Sequence, residues 1–128
     1  MAEYIKLSDR VKETSESNGS GNMELAGAAP GFSPFSDYYV HNDLVFYAIT
    51  DGTNYEVGSG YYYSATDDAY LQNQLRRFPI RTKGNTVTDS NNPNLGCVNF
   101  PIGVKEIYVT YPGDFSVFTA HGLDSAYK

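Results

Sequence analysis

Short runs of alternating hydrophobic and polar positions, broken every few residues by Gly, Pro, Asn or Asp, dominate the chain and predict strands rather than helices. The clearest is "AITDGTNYEVG", residues 48 to 58: a strand ending at Thr50, a two-residue Asp51-Gly52 turn and a return strand through Tyr55 and Val57. A two-residue loop pairs Thr50 with Thr53, Ala48 with Tyr55 and Phe46 with Val57. Period two then assigns Phe46, Ala48, Tyr55 and Val57 to the core. The opposite face pairs Ile49 with Asn54 and Tyr47 with Glu56, and is expected to meet solvent or a partner.

Other stretches fall into place around this hairpin. "NMELAGA" puts Met23 and Leu25 on one side of a strand, and "VKEIYVTY" carries apolar groups on both faces, which marks a central strand. "GCVNF" is a further strand, ahead of Pro101-Ile102-Gly103. In "GSGYYYSATDDAY", Gly58 and Gly60 permit a bend or bulge while three tyrosines alternate in direction. "AYLQNQLRRF" is ambiguous: Leu71 and Leu75 suit a short helix capped by Asp67 or Asp68, or the run is an irregular strand.

The segments between are of different kinds. "SDRVKETSESNGSGN" is rich in Ser, Gly, Asn and charge and reads as a flexible arm. "APGFSPFSDYYVHND" reads as an ordered loop that packs, and "TKGNTVTDSNNPNLG" as a long turn-rich loop. The expected organisation is therefore an N-terminal arm over 1–22, a β domain over 23–112 and a C-terminal tail over 113–128. The fold class is all-β: a small antiparallel β-sandwich or barrel-like domain with an extended arm and tail.

Composition agrees with one such domain. The chain has 128 residues, with 12 Tyr and 12 Gly against few strong helix formers. Its net charge of -6 argues against nucleic acid or an anionic membrane as a partner. The charge is segregated: nine acids and no Lys or Arg lie between Glu13 and Leu75, after which Arg76, Arg77, Arg81 and Lys83 arrive close together. These cations either offset nearby acids on a solvated loop or meet the acidic part of another copy or a neighbouring protein. The N-terminus has no signal-like apolar stretch, so synthesis in a cytoplasm is expected.

Candidate chemistry is thin. The lone Cys97 suits a small buried hydrophobe better than a nucleophile, although His41 and His121 are formal bases for it. His41, Asp43 and His121 lack metal-ligand spacing. Asp67 and Asp68, as neighbours, point apart and suit a cap rather than paired acid catalysis. "DSNNPN" suits Asx-turns, and the glycine clusters lack the Lys-Ser/Thr of a phosphate loop. No enzyme activity, cofactor or metal is expected.

The aromatic residues are the stronger signal. Tyr61, Tyr62 and Tyr63, with Tyr38, Tyr39 and Tyr70, either fill the core and its rim, or form a protein interface, or stack on sugar. The tail residues Phe115, Val117, Phe118 and Leu123 are apolar enough to suit an arm for another subunit. The candidate interface residues are Tyr61, Tyr62, Tyr63, Arg76, Arg77, Arg81, Phe115 and Phe118.

Three blocks in order, "LSDRVKETSESNGSGNMELAGAAPGFSPFS", "VFYAITDGTNYEVGSGYYYSA" and "VNFPIGVKEIYVTYP", resemble a recurring module of tailed-bacteriophage virion proteins. The resemblance covers roughly residues 7 to 113. Tyr55 stands where that module commonly has Trp, and "YLQNQLRRFPIRTKGNTVTDSNNPN" replaces a shorter stretch. It implies a non-enzymatic structural component of a phage particle, assembled in the host bacterial cytoplasm and attached to other virion proteins as a homo-oligomer. A tail-associated fibre anchor or adaptor is the leading expectation. A capsid decoration or head-fibre protein, or a module that binds host glycan, is the alternative.

Overall fold

The computed structural model describes residues 10–65 and 72–110. In chain order the strands are β1 (Lys12–Ser15), β2 (Met23–Glu24), β3 (Leu44–Thr50), β4 (Tyr55–Tyr63), β5 (Gln74–Arg76), β6 (Pro79–Lys83) and β7 (Lys105–Val109), with a 3-10 turn at Phe35–Asp37. They form one antiparallel sheet in the order β1-β7-β3-β4-β5-β2, with β6 paired to β4. The fold is all-β, and the sheet curls into a half-barrel. The backbone beyond β2 returns to β1: Ala26 N–H donates to the Thr14 carbonyl at 2.8 Å and Thr14 N–H to the Gly27 carbonyl at 3.1 Å. These bonds join the two ends of the sheet and leave β1 without an open edge there.

The central place of β7 follows from its apolar residues on both faces; it lies between β1 and β3, with Ile107 opposite both Glu13 and Ile49. Met23 and Leu25 are buried as their spacing predicts. The Pro-rich loop is ordered by packing, since Phe35 and Tyr39 both lie in the core, where the Phe35 ring stacks on Tyr62 with centroids 6.4 Å apart.

The hairpin differs from its sequence reading in two respects. Thr50 pairs with Tyr55 and Ala48 with Val57, so the loop has four residues, 51 to 54, instead of two. Asp51 supplies the reason: its Oδ1 accepts the N–H groups of Thr53 and Asn54 at 2.9 and 2.7 Å, an Asx-type cap that stabilises the wider turn. The second correction concerns the faces. Val45, Tyr47 and Ile49 join the core cluster together with buried Glu56, while of the four residues expected inside, Phe46 and Ala48 are buried and Tyr55 and Val57 only half-buried. The inner set of β3 is bulkier and more apolar than Phe46, Ala48 and Thr50, and that bulk outweighs the polar Glu56 on the neighbouring strand.

The stretch read as a flexible arm is corrected in part: its residues Lys12–Ser15 are β1. Its inward residues are Val11, Glu13 and Ser15, two of them polar, which is why the alternation was masked. Glu13 is held by the N–H groups of Gly27 at 2.9 Å and Phe35 at 2.8 Å, so an interior carboxylate braces the loop after β2. Of the ambiguous "AYLQNQLRRF", Gln74–Arg76 is strand and Leu75 is in the core. Asp67, Asp68, Tyr70 and Leu71 lie outside the described residues, as do residues 1–9 of the arm and the tail from 113 onward.

Candidate interaction surface

β5 and β6 run beside β4 as nearly one strand. Tyr63 faces Gln74 and Tyr61 faces Arg76, and beyond residue 77 the pairing resumes with Gly58 opposite Pro79 and Val57 opposite Arg81. Ile80 is thus the extra residue of a β-bulge. The alternation this imposes is Leu75 in, Arg76 out, Arg77 in, Phe78 out. A charged residue is directed inward and an aromatic one outward, against the usual binary pattern.

The inward half of this inversion is a closed polar cluster. Arg77 Nη2 lies 2.7 Å from Glu56 Oε1 and Nε lies 3.1 Å from Glu56 Oε2, a two-pronged ion pair. The same guanidinium donates to the carbonyls of Val98 at 2.6 Å and Gly21 at 2.9 Å. Glu56 also accepts the Tyr47 hydroxyl at 2.6 Å and the Val98 N–H at 2.8 Å. Burial pushes the Tyr47 hydroxyl well above the usual phenol range, with the Glu56 charge adding to it. Gly58 and Gly60 make the space: a Cβ on Gly60 would run into the Arg76 carbonyl, and one on Gly58 would lie 2.8 Å from Pro79 Cα. The cluster ties β3, β4, the β5–β6 run and the segments at Gly19–Gly21 and Val98 into one unit.

The outward half is a surface patch. Tyr61 is 37% exposed and Phe78 39%. Their rings meet edge to face, 5.9 Å apart at 86°, and the Arg76 guanidinium lies over the Phe78 ring at 4.9 Å. This stacking holds a long cation against an aromatic ring on the outer face of the sheet. Ile80, Arg81 and Lys83 continue the exposed face along β6. On the other side of the patch, Glu24 is exposed next to Gln74, and a cleft of about 290 Å³ is lined by Glu16, Ser17, Glu24, Ala26 and Gln72.

The structure therefore divides the candidate interface residues. Tyr61, Arg76 and Arg81 present an outer surface, and Tyr63 is half-buried beside His41, whose ring lies 5.4 Å away. Tyr62 is corrected to a core residue: it is 1% exposed, and burial pushes its hydroxyl up to about 12. Arg77 is likewise corrected to an interior residue, held by Glu56. Phe115 and Phe118 lie outside the described residues. Phe78, absent from the sequence reading of the interface, is half of the patch; its signal was the Arg-Arg-Phe triplet, which becomes legible once Arg77 is known to point inward.

The other chemical candidates are absorbed locally. Cys97 is buried, its thiol donates to the Arg77 carbonyl at 3.8 Å, and burial pushes that thiol up to about 11, far from a reactive thiolate. His41 Nδ1 accepts the Ser64 N–H at 3.1 Å, and Asp43 Oδ2 accepts the Val40 N–H at 2.9 Å; His121 lies outside the described residues. Asp89 and Asn92 each accept an N–H two residues on, as Asx-turns. Among the described residues no group of three or more His, Cys, Asp or Glu is placed to hold a metal ion. Neither a known protein family, nor a curated protein, nor a solved structure matches this chain.

Proposed function

We propose that the chain is a non-enzymatic structural component of a tailed-phage particle, a tail-associated anchor or adaptor that works through protein–protein contacts. The observation that carries this reading is the Tyr61–Arg76–Phe78 patch, an aromatic and arginine cluster of the composition that anchors protein interfaces, set on a sheet stiffened from within by the Glu56–Arg77 cluster. The order and spacing of the three phage-like blocks support the same assignment. A sugar platform fits the patch less well, because its two exposed rings stand at 86° to each other instead of forming one flat surface.

Mass spectrometry and immunogold labelling of purified particles test it directly. The expected result is a fixed stoichiometry with label at the tail. Label on the capsid would move the protein to a decoration role, and its absence from particles would overturn the assembly reading altogether.

A further inference from the structure

The patch and the Glu24 edge of the acidic cleft lie on one outer face across β2, β5 and β4, with the rest of the cleft lined by Glu16, Ser17, Ala26 and Gln72 outside those strands. Glu24 of β2 sits opposite Gln74 of β5, and Arg76 is two residues further along β5, opposite Tyr61 of β4. Successive outward residues on a strand are about 7 Å apart. Within one chain this offset is not bridged, since among the described residues no ion pair joins Arg76 to Glu24. Each chain thus presents a stacked cation with its aromatic partners and, beside it, a cleft with two carboxylates.

We propose that the Tyr61–Arg76–Phe78 patch of one copy docks on the Glu16–Glu24 cleft of a second copy, Arg76 entering between the two carboxylates. This deepens the assembly reading and rests on it for its biological meaning. Charge complementarity singles out the occupant, because both halves of the interface are supplied by this one sequence. A planar guanidinium held over an aromatic ring keeps its fork free for carboxylate oxygens, and the cleft offers the volume for such a side chain. Because the patch and the Glu24 edge of the cleft share one face, a two-fold rotation brings Arg76 of each copy to Glu24 of the other, so the contact closes as a symmetric dimer.

Sedimentation equilibrium tests it at roughly 200 μM protein in low salt, about 50 mM, and in high salt, about 500 mM. The expected result is a dimer at low salt that weakens at high salt. Arg76→Glu and Glu24→Lys each weaken it roughly tenfold or more, and an equimolar mixture of the two variants regains association. Phe78→Ser weakens it as well, with far-UV circular dichroism confirming that each variant stays folded. A wild type that is monomeric at low salt, a dimer indifferent to Arg76→Glu, or a mixture that stays monomeric would each overturn the inference. A chain monomeric in solution yet present in particles would refute this contact and leave the assembly reading standing.

Discussion

Glu56 and Arg77 form an ion pair inside the sheet: the shortest N–O distance is 2.7 Å, and the two side chains are 0% and 1% exposed. Such a pair is a poor source of net stability, because desolvating both charges offsets most of their attraction, but it is costly to break by halves. Arg77→Leu removes the guanidinium from the carbonyls of Gly21 and Val98 and leaves the buried Glu56 carboxylate with no cation, only the Tyr47 hydroxyl and the Val98 N–H. The expected loss is about 3–5 kcal/mol in urea unfolding. Joint replacement by Glu56→Leu and Arg77→Met should cost less than the sum of the single changes, and an additive result would show that the two residues are not coupled.

Tyr47 tests the same cluster more gently. Tyr47→Phe removes the hydroxyl that donates to Glu56 at 2.6 Å while keeping the ring in the core. A hydrogen bond to a charged acceptor contributes about 1.5–3 kcal/mol, so a drop of that size in unfolding free energy is expected. A change near zero would mean that the remaining donors on Glu56 suffice.

The tyrosine run should separate into parts. Tyr62→Ala empties a core site and is expected to cost about 3–5 kcal/mol, whereas Tyr61→Ala on the surface should stay within about 0.5 kcal/mol. Thermal melts of the two variants side by side make the comparison. Equal losses would contradict the alternation of β4.

Gly58 and Gly60 should not tolerate a methyl group. Gly60→Ala forces a Cβ onto the Arg76 carbonyl, and overpacking against backbone costs about 1–3 kcal/mol or more. Gly21→Ala is the control, since nothing lies within 4 Å of the added carbon. Similar melting temperatures for the two variants would show that the β4–β5 approach is looser than its geometry implies.

Two carboxylates should give the acid range opposite slopes. Burial raises the Glu13 carboxyl above its ordinary value, against the pull of the Phe35 and Gly27 N–H groups. Its folded form therefore prefers the proton, and stability is greater below the unfolded value and falls as pH rises through the raised one. Asp51 is lowered, chiefly by the Asn54 N–H, so its contribution is present above the unfolded value and is lost on acidification. Melts of Glu13→Gln and Asp51→Asn against wild type from pH 3 to 7 should show both slopes; a reversed sign for either refutes its assigned environment.

The sequence made much of this fold legible. The all-β class, the central β7, the buried Met23 and Leu25 and the ordered loop around Phe35 follow from period-two alternation and turn chemistry. What it concealed has a common physical cause: polar side chains placed inside. Glu13 and Ser15 disguise β1 as a linker, and Glu56 makes the inner face of the hairpin look like the outer one. Arg77 does the same for the candidate site, because only its inward turn explains why Phe78 is outside. The register error at Thr50 and Tyr55 has a separate origin, the second N–H accepted by Asp51, which a dipeptide turn rule does not contain.

The place of β7 also governs when the fold can form. Residues 105 to 109 must enter between β1 and β3, so Glu13 waits for a partner made more than ninety residues later. Until then the growing chain carries a hairpin with one unsatisfied side and an early segment, β1, whose partners lie on one side only, in the backbone from Ala26 to Ser33. A structure built on contacts so distant in sequence folds slowly. Nascent copies consequently pass through an interval in which the chain is long, sticky and unfinished, and a chaperone or a dilute supply of new chains serves it better than rapid expression.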